Sequence, residues 1–176
     1  MSSGAIITFA ANISGQNIVL TSGGFTMSND VTIDGSALSN QIVINGNHST
    51  RIFNIMGGAN VLALTHCTFS GNQAGFVGAG VGGAVDNYLS TAFVTNSLLA
   101  GNTESGSPDD IYNWASSTVT IGATNLAPGL LNEGANNGSG AVIGGAPMLA
   151  ALGNYGGWPA QIWPYPECLD QHRRGH

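Results

Sequence analysis

Leu62-Ala63-Leu64-Thr65-His66-Cys67-Thr68-Phe69-Ser70-Gly71-Asn72 decides the fold, because the chain carries the same pattern twice. Thirty residues on stands Ala92-Phe93-Val94-Thr95-Asn96-Ser97-Leu98-Leu99-Ala100-Gly101-Asn102. Each copy alternates apolar and polar residues, meets a polar corner, turns apolar again and ends on Gly-Asn. A period of two is the mark of a strand, since successive side chains of a strand point to opposite faces. Self-similarity at a fixed offset within about 20 to 50 residues marks a stacked repeat architecture. Strands this short cannot each bury a face alone; laid one above another, they close a common core. Gly and Asn suit the corners because both tolerate positive φ. The expectation is an all-β chain, a single-stranded parallel β-helix.

Other β-branched runs extend the pattern in both directions. They include Ile6-Ile7-Thr8-Phe9, Ile18-Val19-Leu20, Val31-Thr32-Ile33, Ile42-Val43-Ile44, Ile52-Phe53-Asn54-Ile55 and Thr118-Val119-Thr120-Ile121. Alternation places Ile18, Leu20, Val31, Ile33, Ile42, Ile44, Phe53, Ile55, Leu62, Leu64, Val119 and Ile121 inside. Cys67 and Ser97 are expected to stack as small inward residues, with Phe69 and Leu99 following and His66 over Asn96 at the corner. Rungs are expected over residues 1–145, with loop excursions near 73–83 and 103–117. Residues 146–176 read as a capping segment and tail. There Trp158-Pro159, Trp163-Pro164 and Tyr165-Pro166 supply aromatics held by Pro, suited to cover a last rung that would otherwise expose its edge.

Composition narrows the function. Only 7% of the residues are charged, against roughly 25% in an average soluble protein. There is no Lys, the Arg are Arg51, Arg173 and Arg174, and the net charge is −6. So few cations cannot neutralise many phosphates, so nucleic acid is excluded as a partner. Disordered chains and coiled coils need more charge than this. No apolar run reaches the roughly 18 residues of a spanning helix, so no membrane insertion is expected. Met1-Ser2-Ser3-Gly4 lacks the basic and apolar regions of a signal peptide. The polar set is rich in Asn, Ser, Thr and Gly, which suggests an extracellular setting with the export signal outside this stretch. Cys67 reads as a buried free thiol; a bridge to Cys168 has no support from spacing.

Several segments resemble a known family. Phe69-Ser70-Gly71-Asn72, Gly82-Gly83-Ala84-Val85-Asp86-Asn87, Thr95-Asn96-Ser97 and Ala100-Gly101-Asn102 look like repeats of bacterial polymorphic-outer-membrane-protein-like β-helices. Ala146-Pro147-Met148-Leu149, Leu152-Gly153-Asn154-Tyr155-Gly156-Gly157 and Pro164 through Cys168-Leu169-Asp170-Gln171 resemble the close of the choice-of-anchor Q domain family. The resemblance covers most of the chain. It implies a right-handed parallel β-helix from a secreted or cell-surface bacterial protein. Trp158-Pro159-Ala160-Gln161-Ile162-Trp163 departs from the family's wording. The family has no single reaction, so the resemblance speaks to fold more than to activity.

Chemistry has few residues to draw on. Asp109-Asp110 is the only adjacent carboxylate pair, a candidate for acid–base work on a glycosidic bond; Pro108 before it also fits an ordinary turn. Asp30 and Asp34, with Asp86 from another coil, are candidate ligands for Ca2+, a hard cation that takes oxygen donors. Asp34-Gly35 is equally a plain turn. His66 is a candidate base beside Thr65, Ser70 and Thr95, or simply a member of an Asn-like corner ladder. His48 and Arg51 form a further polar corner. No Gly-x-Ser-x-Gly elbow occurs.

The leading expectation is a surface domain used as stalk, adhesin or glycan-contact module, with glycan or cell-surface material as partner and no required cofactor. The alternative is a hydrolase or polysaccharide lyase, Ca2+-assisted, acting on polysaccharide or on an ester or lactone. An exposed terminal coil also offers edges for a homodimer.

Overall fold

The structure, a computed structural model, describes residues 4–75, 81–136 and 141–143. Its strands follow one cycle, repeated level upon level. The lowest level holds β1 (Ala5–Thr8), β2 (Asn17–Val19) and β3 (Phe25–Met27). Above it lie β4 (Val31–Asp34), β5 (Ile42–Asn45) and β6 (Phe53–Met56). Next come β7 (Val61–Thr65), β8 (Cys67–Ser70), the short β9 (Gln73–Ala74) and β10 (Val85–Tyr88). Then follow β11 (Thr91–Thr95), β12 (Leu98–Ala100), the lateral β13 (Thr103–Glu104) and β14 (Ser107–Pro108), and β15 (Ile111–Asn113). Higher still are β16 (Thr118–Gly122), β17 (Thr124–Leu126) and β18 (Leu130–Asn132), and finally β19 (Ala135–Asn136) and β20 (Ala141–Ile143).

Corresponding strands pair in parallel. The first sheet is β1-β4-β7-β11-β16-β19, the second β2-β5-β8-β12-β17-β20 and the third β3-β6-β10-β15-β18. The chain is therefore a parallel β-solenoid. Among the described residues the one helical piece is a 3-10 turn, Ala11–Ile13. The repeat sets the register: Leu62 lies opposite Ala92, Leu64 opposite Val94 and Phe69 opposite Leu99. His66 and Asn96 make the corner between the first two sheets with φ of 53° and 48°, and Ala123 does the same at 54°. One left-handed residue is enough to redirect the strand. Gly35 sits against that corner: a Cβ there would lie 2.6 Å from the His66 carbonyl oxygen, so only Gly fits.

The inward residues form the core that alternation implies. Ile33, Ile42, Ile44, Phe53, Ile55, Leu62, Leu64, Val119 and Ile121 are buried, and Ile18, Leu20 and Val31 pack partly buried against them. Phe69 meets Phe53 edge-on with centroids 5.9 Å apart, and Phe53 stacks on Phe25 at 5.9 Å. Cys67 is wholly buried. Burial pushes its thiol up to about 12, which leaves it protonated and unreactive. At the lower end of the described coils the core opens into a cavity of about 400 Å³ lined by Ile7, Phe9, Ile18, Leu20 and Phe25.

Polar ladders run beside the apolar core. Gly46 N donates to Asn72 Oδ1 at 2.5 Å, Asn72 Nδ2 to Asn102 Oδ1 at 2.7 Å, and Asn102 Nδ2 to Asp110 Oδ1 at 2.7 Å. In the third sheet Asn87 Nδ2 donates to Asn113 Oδ1, and Asn113 Nδ2 to Asn132 Oδ1, both at 2.6 Å. Asn87 Oδ1 is buried without a partner, because the residue beneath it in register is Ile55. Along these ladders a buried amide is satisfied mainly by its neighbour one coil away, which is how a buried polar group avoids its desolvation cost. Ion pairs are correspondingly scarce; among the described residues only Arg51 and Asp86 form one.

The expected excursions leave the coil at the second-to-third corner. Of the first, residues 76–80 lie outside the described residues. The second is a tight antiparallel pair, β13 with β14, which returns the chain to the third sheet at β15. The capping segment expected over 146–176, with Cys168, lies outside the described residues.

Candidate functional site

The acids singled out in the sequence have structural employment. Asp110, 1% exposed, accepts from Asn102 N at 3.1 Å and Asn102 Nδ2 at 2.7 Å through Oδ1, and from Gly129 N at 2.8 Å through Oδ2. Burial pushes its pKa up, against the pull of these donors. Asp109 accepts from Gly82 N at 2.8 Å through Oδ2, while its Oδ1 is buried and unpartnered. Burial pushes this carboxyl up to about 6; the Gly82 bond opposes the shift and the charges of Glu104, Asp110 and Asp86 add to it. It titrates in a range useful for proton transfer, yet it is only 2% exposed.

Asp30, Asp34 and Asp86 are not brought together. Asp30 Oδ1 accepts from Val61 N at 2.9 Å, which ties one coil to the next. Asp34 Oδ1 accepts from Ser36 N at 2.8 Å. The Ser36 bonds hold its carboxyl below the usual range. Asp86 belongs to the third sheet, and both its oxygens are engaged. Among the described residues no three or more His, Cys, Asp or Glu side chains gather to hold a metal. His66 sits at the corner between the first and second sheets, whereas the Asp109-Asp110 pair leads into the third. Its N–H donates to the Thr95 carbonyl at 3.2 Å, and its Nδ1 is buried without a partner.

The outward face of the third sheet gathers a different set of residues. Asn54, Asp86, Tyr112 and Leu131 fall in one register row, and Met56 pairs with Tyr88. Trp114 follows β15, and its backbone N–H donates to the Asn87 carbonyl at 3.2 Å. The indole folds back so that Nε1 donates to Asp86 Oδ1 at 2.8 Å. Arg51 Nη1 donates to Asp86 Oδ2 at 2.5 Å. Burial raises the Asp86 pKa, while Trp114 and Arg51 pull it down. The indole lies 5.7 Å from the Tyr88 ring, nearly perpendicular at 85°, and 5.0 Å from the Tyr112 ring. The Tyr112 hydroxyl donates to Glu133 Oε1. That bond pushes the phenol up to about 12, so it stays neutral. Tyr88 is 42%, Leu131 47% and Met56 57% exposed.

Tyr and Trp present an apolar face and a polar edge with few rotamers to freeze, which suits them to recognition surfaces. Here Tyr88 and Tyr112 stand on the sheet and Trp114 follows it, its indole bonded to the Asp86 of the ion pair and packed against both tyrosine rings. The sequence reading did not single out Tyr88, Tyr112 or Trp114. A signal was present: in Tyr112-Asn113-Trp114 the alternation that sends Asn113 inward sends both aromatics outward.

Compared with known proteins, the chain matches no family model, no curated protein and no solved structure.

Proposed function

We propose that this β-solenoid is a glycan-contact module of a secreted or surface-displayed bacterial protein, and that the third-sheet aromatic face is its contact surface. The observation that carries this reading is the cluster of Tyr88, Tyr112 and Trp114, in which the indole is held by Asp86, itself paired with Arg51. Aromatic rings stack on the C–H faces of pyranoses, while the polar groups around them meet the hydroxyls. Coils stack about 4.8 Å apart, close to the length of one pyranose ring. A glycan lying along the solenoid axis therefore passes Tyr88 and Trp114 on successive coils, and because the rings are nearly perpendicular it stacks on the face of one and meets the edge of the other. The secreted or surface setting is supported by the resemblance carried by residues 69–72, 82–87 and 95–102.

The test is calorimetric titration with a glycan panel, paired with chromatographic analysis of the glycans afterwards. The expected result is binding without turnover, weakened about ten-fold or more by Trp114→Ala. Cleavage products that vanish with Asp109→Asn would replace this reading with the hydrolase alternative. No binding to any glycan would leave a stalk.

A further inference from the structure

We infer that the aromatic face selects glycans bearing free amino groups, of the glucosamine-oligomer type, and rejects uronates and sulfated sugars. This rests on the glycan-contact reading and adds the charge of the ligand to it.

Charge decides the choice. The chain has no Lys, and among the described residues Arg51 is the one Lys or Arg. Its Nη1 is committed to Asp86 Oδ2 at 2.5 Å, and its side chain is only 17% exposed. Among the described residues an anionic sugar placed on the rings finds no free Lys or Arg. It finds instead Glu133, exposed at the rim and fixed to Tyr112 through one oxygen, within a chain of net charge −6. Like charges brought together without a counter-ion repel and lower the encounter rate. An ammonium group on the same sugar has two attractions available. One is the Glu133 carboxylate; the other is the negative face of the rings, since cations are drawn over Tyr and Trp. The Tyr112–Glu133 bond places the carboxylate beside a ring, so one amino sugar can use both.

Three oligosaccharides of equal length separate the possibilities: fully deacetylated glucosamine oligomers, their N-acetylated counterparts, and oligogalacturonates. Binding is measured by calorimetry in mildly acidic buffer, where the sugar amines are protonated, at low and high salt. The deacetylated oligomer is expected to bind about three- to five-fold tighter than the acetylated one, the scale of one exposed ion pair, and high salt should erase the difference. Uronates should not bind. Glu133→Gln, which keeps a carbonyl oxygen to accept from the Tyr112 hydroxyl but carries no charge, is expected to bring the two affinities together. Uronate binding as tight as that of the amino oligomer, or an amino preference that survives Glu133→Gln, would overturn the charge selectivity while leaving glycan contact standing. Failure of all three oligomers to bind would overturn both.

Discussion

Asn102 Nδ2 donates to Asp110 Oδ1 across 2.7 Å although only eight positions separate the two residues. Between them the chain leaves the coil through the β13–β14 pair and re-enters it. Gly129 N, one coil higher, donates to the other oxygen of Asp110. Asp110 is thus an acceptor on both sides and ends the ladder that begins at Asn72. An ionised carboxylate suits that place because it has only acceptors to offer.

Asp110→Asn puts an amide N–H against either the Gly129 N–H or the Asn102 donors. The variant should lose about 1–3 kcal/mol, the cost of a buried group left unpaired. Urea denaturation monitored by circular dichroism reads this directly. A variant as stable as the parent would remove Asp110 from the ladder argument.

Asp109 should leave a pH signature. Its folded pKa of about 6 stands above the reference 3.8. Below the reference value both states hold the proton and burial carries no charge penalty. Between the two values the unfolded chain has released a proton that the folded chain keeps, so stability falls as pH rises through this window. Above about 6 the penalty is complete. Asp109→Asn should melt higher than the parent at neutral pH, by roughly a few degrees, with the advantage gone in acid. Melting temperature followed against pH gives the comparison.

His66→Asn tests the corner. His66 holds φ at 53° where Asn96 holds 48°, and Asn enters that region more readily than most residues. The buried, unpartnered Nδ1 disappears with the imidazole. The expected outcome is a stability gain of about 0.5–1 kcal/mol with glycan affinity intact. A catalytic histidine would instead show itself as lost turnover.

Arg51→Met strips Asp86 of its cation inside a mostly covered site. The loss should approach about 3 kcal/mol and weaken glycan binding, because the carboxylate that anchors Trp114 through Oδ1 loses the partner that fixes its Oδ2. Adding Asp86→Leu should recover much of the stability and none of the affinity. That split, read by denaturation and calorimetry on the two variants, separates the ion pair's structural part from its positioning part.

The thirty-residue likeness made the coil legible because inward positions repeat under a common constraint. Leu62 over Ala92 and Phe69 over Leu99 could be aligned before any strand was seen. The same logic hid the ladder role of Asp110, which an excursion that breaks the period separates from its partner Asn102. Adjacency makes Asp109-Asp110 a candidate acid–base pair; in the fold the two carboxyls accept from different backbone groups, Gly82 N and Gly129 N. The aromatic face was hidden for another reason. Outward residues answer to no neighbour in the core, so Tyr88 and Trp114 share no repeated spelling, and Arg51 meets Asp86 across 35 positions of sequence.

The Asn87–Asn113–Asn132 series has a polarity. Every amide hands its hydrogen upward, and the vacancy sits at the bottom, above Ile55. The rod can therefore be lengthened asymmetrically by design. A coil spliced in beneath Asn87 fits best if it carries an amide at the Ile55 position, which would fill the waiting acceptor and turn an end of the ladder into one of its middle rungs.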